Sequence, residues 1–163
     1  TPSNSSAASD VYKRQGRDST HNNRKGRSFT KARNIGGKKM KKILLVDDDV
    51  DFVEATKLIL ESKSYNVVTA YSGKEGIEKV KSENPDLIVL DVMMPKPDGY
   101  EVCAKLKADP ELCNIPIILL TAVVSKISST GYTKEMGMRI EADDYIDKPV
   151  EPSELVKSIE RLI

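Results

Sequence analysis

Two apolar runs in this chain each end in acid. In KILLVDDD, Ile43 to Val46 lead into Asp47, Asp48 and Asp49; in DLIVLDVMMP, Leu87 to Leu90 lead into Asp91 and then to Pro95. Four consecutive aliphatic residues read as a strand buried on both faces, the habit of parallel sheets. The carboxyl ends of such strands are where open α/β sheets bind ligands. Carboxylates held a few ångströms apart repel unless a hard cation, an ammonium or a shared proton offsets the charge. Magnesium suits such a set, because it takes oxygen ligands, keeps waters and leaves room for a phosphate oxygen. Two further strand ends supply the remaining parts: PIILLTA ends in Thr121, and DDYIDKP carries Lys148 before Pro149. A carboxylate nucleophile, a metal, a hydroxyl and an ammonium are the groups that in-line phosphoryl transfer uses for attack and charge neutralisation.

The segments between these ends alternate in a way that can bring them together. After Asp49, which reads as a helix N-cap, Phe52, Val53, Ala55, Ile59 and Leu60 share one face of a helix and Glu54, Lys57 and Glu61 the other. Residues 66–70 read as a second strand. Ser72 and Glu75 have capping-box spacing, with Ile77 and Val80 as the inward stripe of a second helix ending before Asn84 and Pro85. A loop through Pro95, Pro97, Asp98 and Gly99 leads to a third helix bearing Val102, Cys103 and Leu106, stopped near Asp109 and Pro110. Ile117 to Leu120 form a fourth strand, and a last helix begins at about Pro152 with Leu155, Ile159 and Leu162 inward. Strand and helix in alternation, with right-handed crossovers, argue for a parallel sheet covered on both faces.

Taken in order, these strand ends resemble those of the receiver domains of two-component response regulators, a resemblance that spans residues 40 to 163. It implies a doubly wound, flavodoxin-like (CheY-like) α/β fold with five parallel strands in the order 2-1-3-4-5, so that strands one and three lie side by side at the switch point. It further implies that Asp91 is the phosphoacceptor and that Mg2+ is held by Asp48, by Asp91, by the backbone carbonyl of Met93 and, through water, by Asp47. By the same resemblance Thr121 is the switch hydroxyl, Lys148 pairs with the phosphoryl oxygens, and the Tyr145 ring follows Thr121 inward. Ala122 fits an open approach to the site. Met93 and Val123 occupy the two positions that flank the line of water attack, and neither can orient a water, which implies a long-lived phosphorylated form. The implied partner is a sensor histidine kinase or phosphotransfer protein, with a downstream protein target. The implied role is a signalling switch, not an enzyme with an external substrate, that catalyses only its own phosphotransfer and slow dephosphorylation. With no output segment after Ile163, the chain reads as a stand-alone receiver.

Each residue alone has an ordinary explanation. A triple acid after a strand is often a solvated loop, Thr121 a strand-end threonine, Lys148 a surface lysine and Tyr145 a half-buried aromatic. Their joint spacing is what lifts them. Other chemistries fit less well. An aspartate-nucleophile phosphatase of the haloacid dehalogenase type needs a second acid where Met93 stands, a flavodoxin-like cofactor site needs a phosphate loop where three acids stand, and a nucleotide-triphosphate enzyme needs a glycine-rich loop with Lys and Ser or Thr. The alternative left open is a phosphorylation-independent binding module on the same fold.

Composition divides the chain. Residues 1–39 hold ten basic and two acidic side chains, a net +8, while the remainder holds sixteen basic and twenty-three acidic, a net −7. The first part is rich in Ser, Asn, Gly, Lys and Arg with no apolar periodicity, and is expected to be disordered. A basic arm could hold nucleic acid or an anionic membrane, but SAASDVYKRQ resembles a translated sequencing-adapter scar and Met40 looks like a natural beginning, so residues 1–39 are read as foreign to the domain and no nucleic-acid partner is expected. No apolar run is long enough for a signal peptide or a membrane span, and a cytoplasmic protein is expected. Cys103 and Cys113, with His21 the only histidine, suit reduced structural thiols better than a metal set. One stretch departs from the family's pattern: 123–140, VVSKISSTGYTKEMGMRI, is about five residues longer than usual between Thr121 and Lys148 and contains poor helix formers. A late-starting helix or a longer loop is expected there.

Overall fold

Five strands form the sheet of the structure, a computed structural model that describes residues 37, 39–122 and 141–163, and three of them grow from aliphatic runs. The five are β1 (Lys42–Val46), β2 (Asn66–Ala70), β3 (Leu87–Asp91), β4 (Ile117–Thr121) and β5 (Asp144–Asp147), all parallel, in the order β2-β1-β3-β4-β5. The fold is therefore the doubly wound, flavodoxin-like one. The expectations for residues 1–39 fall almost wholly, and those for 123–140, Val123 included, fall wholly, outside the described residues.

Alternation along the strands sends neighbouring side chains to opposite faces. Leu44, Val46, Ile88, Leu90, Ile117 and Leu119 join one core cluster, and Ile43, Leu45, Leu87, Val89, Ile118 and Leu120 the other. Helices α2 (Gly73–Glu83) and α3 (Gly99–Ala108) cover the first through Val80, Val102, Cys103 and Leu106. Helices α1 (Val50–Ser62) and α4 (Pro152–Leu162) cover the second through Val53, Leu60, Leu155 and Ile159. At roughly 1.5–3 kcal/mol for each fully buried aliphatic side chain, this two-sided burial fixes the register, since a one-residue slip would exchange the two faces.

The helix ends are largely where the sequence puts them, with three differences. On α1 the buried residues are Val53, Thr56 and Leu60, whereas Ala55 is exposed. Ala55 is displaced because Val53, Thr56 and Leu60 follow the i, i+3, i+7 spacing of one helical stripe, which Ala55 does not share. Ser72 caps α2 by accepting from Glu75 N–H, but the Glu75 carboxylate accepts from Tyr71 N–H instead of from Ser72, so the expected capping box is only half made. The complete capping box is at α3, where Asp98 and Glu101 exchange hydrogen bonds of 2.9 and 3.2 Å. Asp49 caps α1 as expected, accepting from Phe52 N–H at 3.1 Å. Both cysteines are free thiols; burial pushes Cys103 up to about 11. Among the described residues no helix is long and apolar enough to cross a membrane.

Candidate functional site

Register brings the strand ends to one level. Val46 lies opposite Leu90, which sets Asp47 beside Asp91, and Thr121 pairs with Asp147, which sets Lys148 one residue beyond. The chain then continues to be tied as it leaves the sheet: Asp47 N–H donates to Ala70 O, Val92 N–H to Leu120 O, and Lys148 N–H to Thr121 O at 2.8 Å. Among the described residues five polar side chains are buried, and three of them, Asp47, Asp91 and Thr121, lie at this rim. Burying a charged or polar group costs free energy that packing alone does not return, so this concentration marks the rim as a site.

The electrostatics are unbalanced. One oxygen from each of Asp47, Asp48 and Asp91 lies within 4.8 Å of the others, with Asp47 and Asp91 buried and Asp48 exposed. Lys148 reaches across the sheet to them, its Nζ 2.8 Å from Asp47 Oδ2 and 3.1 Å from Asp91 Oδ1. The first contact is a hydrogen bond; the second is an ion pair out of hydrogen-bond alignment, so the buried Asp91 Oδ1 has the ammonium beside it but, among the described residues, no well-aligned hydrogen bond. Asp47 Oδ1 is taken by Asp49 N–H at 2.9 Å. Burial raises the Asp47 pKa; the Lys148 hydrogen bond and Asp49 N–H pull it back only in part, and the charge of Asp91 adds to the rise. Burial works against the Lys148 ammonium, yet Asp47 and Asp91 outweigh it and hold its pKa above the usual lysine value. Among the described residues the rim thus holds three carboxylates and one ammonium, which touches two of them, an excess of two negative charges when all are ionised. A divalent cation fits that deficit and the incompletely bonded Asp91 oxygen: the ligand atoms are all hard oxygens, the set magnesium prefers.

The other expected residues are placed as follows. Thr121 ends β4 and is buried, in hydrogen-bonding contact with Tyr100 of α3. Tyr145 is on β5 and 42 % exposed, with Tyr100 and Cys103 near enough to affect its phenol electrostatically. Met93 is 62 % exposed in the loop after Asp91. Three supporting residues were not foreseen. Gly99 sits so close to the end of β3 that a Cβ there would fall 2.1 Å from Asp91 O and 2.7 Å from Val92 Cα. Tyr100 contacts Thr121. Phe52 puts its ring 4.9 Å from Lys148 Nζ. Gly99, following Pro-x-Pro-Asp directly after the acid strand, carried a readable signal; the other two depend on contacts between distant segments.

Comparison with known proteins agrees with this geometry. Residues 43–160 match the response regulator receiver domain family. The chain is 41 % identical over 123 residues to the alkaline phosphatase synthesis transcriptional regulatory protein PhoP of Bacillus subtilis, covering 76 % of this chain and 48 % of that protein. It thus spans about half the length of the curated relatives it matches. Among solved structures it is similar to the signal receiver domain of a signal transduction histidine kinase from Syntrophus aciditrophicus, with TM-score 0.68 and 36 % identity over 75 % of this chain and 89 % of that one. It is also similar to a CheY-like response regulator receiver domain protein from Methanospirillum hungatei, with TM-score 0.66 and 31 % identity over 76 % and 94 %. A carboxylate-rich rim on a 2-1-3-4-5 sheet and a family match over most of the chain lead to one assignment: this chain belongs to the response regulator receiver domain family.

Proposed function

We propose that Asp91 is the phosphoacceptor of a two-component phosphorelay, taking its phosphoryl group from a phosphohistidine on a sensor histidine kinase or phosphotransfer protein. An Asp91 carboxylate oxygen attacks phosphorus in line, the P–N bond breaks, and its electron pair leaves on the imidazole nitrogen, which takes up a proton. The product is an aspartyl phosphate. Asp48, Asp91, the Met93 carbonyl and, through water, Asp47 would hold magnesium, which supplies neutralisation of phosphoryl charge. Lys148, already 3.1 Å from Asp91 Oδ1, supplies a fixed positive charge for the incoming oxygens. The Thr121 hydroxyl would leave Tyr100 to donate to them, and Tyr145 would move inward behind it, shifting the population of the signalling surface. Water attack on phosphorus then releases phosphate and restores Asp91.

The observation that carries this reading is a buried carboxylate at the end of β3, with an ammonium beside an oxygen that makes no aligned hydrogen bond among the described residues. Intact-mass analysis with acetyl phosphate and magnesium tests it. One added phosphate is expected on the wild type and none on Asp91→Asn; phosphate on another residue overturns the assignment. Because the exposed Met93 side chain cannot orient a water, the adduct is long-lived, and Met93→Asn should shorten its lifetime.

A further inference from the structure

The Lys148 side chain is a flexible four-carbon stem carrying a compact charge, yet the proposed chemistry needs that charge at one place. Three contacts fix it: Asp47 Oδ2 at 2.8 Å, Asp91 Oδ1 at 3.1 Å, and the Phe52 ring centroid at 4.9 Å. Two of these partners are carboxylates whose charge is altered when a cation binds or a phosphoryl group arrives. The ring is the contact that neither event changes.

Phe52 is itself linked to one of these acids, Asp47, by way of Asp49. Asp47 Oδ1 accepts from Asp49 N–H, Asp49 Oδ1 accepts from Phe52 N–H, the Phe52 ring faces Lys148 Nζ, and Lys148 Nζ donates back to Asp47 Oδ2. The circuit is closed. Its rigid side is the first turn of α1, and the half-buried Phe52 also packs on the core cluster beneath that helix. An aromatic face attracts an ammonium through its quadrupole, an interaction within reach at about 6 Å and stronger where water is partly excluded.

We infer that Phe52 is a positioning residue for phosphoryl binding: its ring backs the Lys148 ammonium and keeps it at Asp91 while the carboxylates change partners. The inference rests on Asp91 being the phosphoacceptor. An apolar side chain of similar size fills the same space but offers no π face, so Phe52→Leu separates seating the lysine from filling the core.

Calorimetry on the full chain tests this with two probes, magnesium alone and then beryllium fluoride, a phosphoryl mimic, in saturating magnesium. Phe52→Leu should weaken beryllium fluoride binding about two- to five-fold, Phe52→Tyr should bind as the wild type does, and magnesium affinity should be the same in all three. Phe52→Met, a second variant without a ring, should follow Phe52→Leu, and thermal unfolding confirms that each is folded. The inference is overturned if the leucine and methionine variants bind the mimic as tightly as wild type, if tyrosine is as weak as leucine, or if magnesium affinity falls in parallel. Should the wild type itself fail to bind the mimic, the phosphoacceptor reading falls first.

Discussion

The two ends of the sheet treat acids in opposite ways. At the amino end each acid clasps a neighbouring strand. Asp86 N–H donates to Lys42 O while Asp86 Oδ2 accepts from Lys42 N–H, both at 2.7 Å, and Asp143 repeats the arrangement on Ile117 at 2.9 and 2.8 Å. Lysines complete these pairs: Lys107 Nζ reaches Asp143 Oδ2 at 2.9 Å along with the carbonyls of Cys113 and Ile115, and Lys41 Nζ lies 3.7 Å from Asp86 Oδ1. At the carboxyl end three acids cluster, two of them share one lysine, and among the described residues the buried Asp91 Oδ1 makes no aligned hydrogen bond. The same residue types therefore act as mortar at one end and gather uncompensated negative charge at the other. What distinguishes them is whether each carboxylate has its own partner.

The sharpest contrast compares one acid from each end. Asp91→Asn should abolish phosphate incorporation, whereas Asp143→Ala should leave its rate within about two-fold while destabilising the fold by about 1–2 kcal/mol, the cost of depriving Ile117 N–H of its side-chain acceptor and Lys107 of its ion pair. Mass analysis and urea unfolding read the two effects. Loss of phosphorylation in the Asp143 variant would show that the ends are not independent. Next in size is the response to metal. Magnesium at a hundred times its dissociation constant should stabilise the wild type by about 2.7 kcal/mol, and Asp48→Asn should remove most of that gain. Equal stabilisation in the variant would mean that the ion binds elsewhere.

This asymmetry also separates what was legible in the sequence from what was not. Ile43 to Val46 and Leu87 to Asp91 announce themselves as buried strands because both faces demand aliphatic side chains, and their terminal acids stand out against that background. Asp49 and Pro152 are equally readable, since capping and first-turn chemistry are local. The misplacement of Ala55 and the half-made capping box at Ser72 come from short-range competition: Tyr71 N–H outbids Ser72 N–H for Glu75, and Thr56 supplies the inward position. Phe52, Tyr100 and the incompletely bonded Asp91 Oδ1 belong to a third kind. They are defined by which side chains of α1, α3 and β3 meet those at the ends of β1, β4 and β5, a matter of tertiary geometry with no periodicity to reveal it. Cap and strand chemistry are written along the chain, while the support of the site is written across it.

The smallest expected effect is a pH dependence that tests the imbalance itself. Burial raises the folded-state pKa of Asp47 above its ordinary value of 3.8, so the folded protein keeps a proton on that carboxyl to higher pH than the unfolded chain does. Stability from this group is then present at low pH and is lost as pH rises through the raised value. Asp47→Asn removes the titration while leaving Lys148 the carboxylate of Asp91. In metal-free urea unfolding, the stability of the variant relative to wild type should therefore climb as pH rises from just below 3.8 and level off once Asp47 is ionised in the folded state. A relative stability that falls over that range would mean that the Lys148 hydrogen bond outweighs burial, and that Asp47 is satisfied in the way the amino-end acids are.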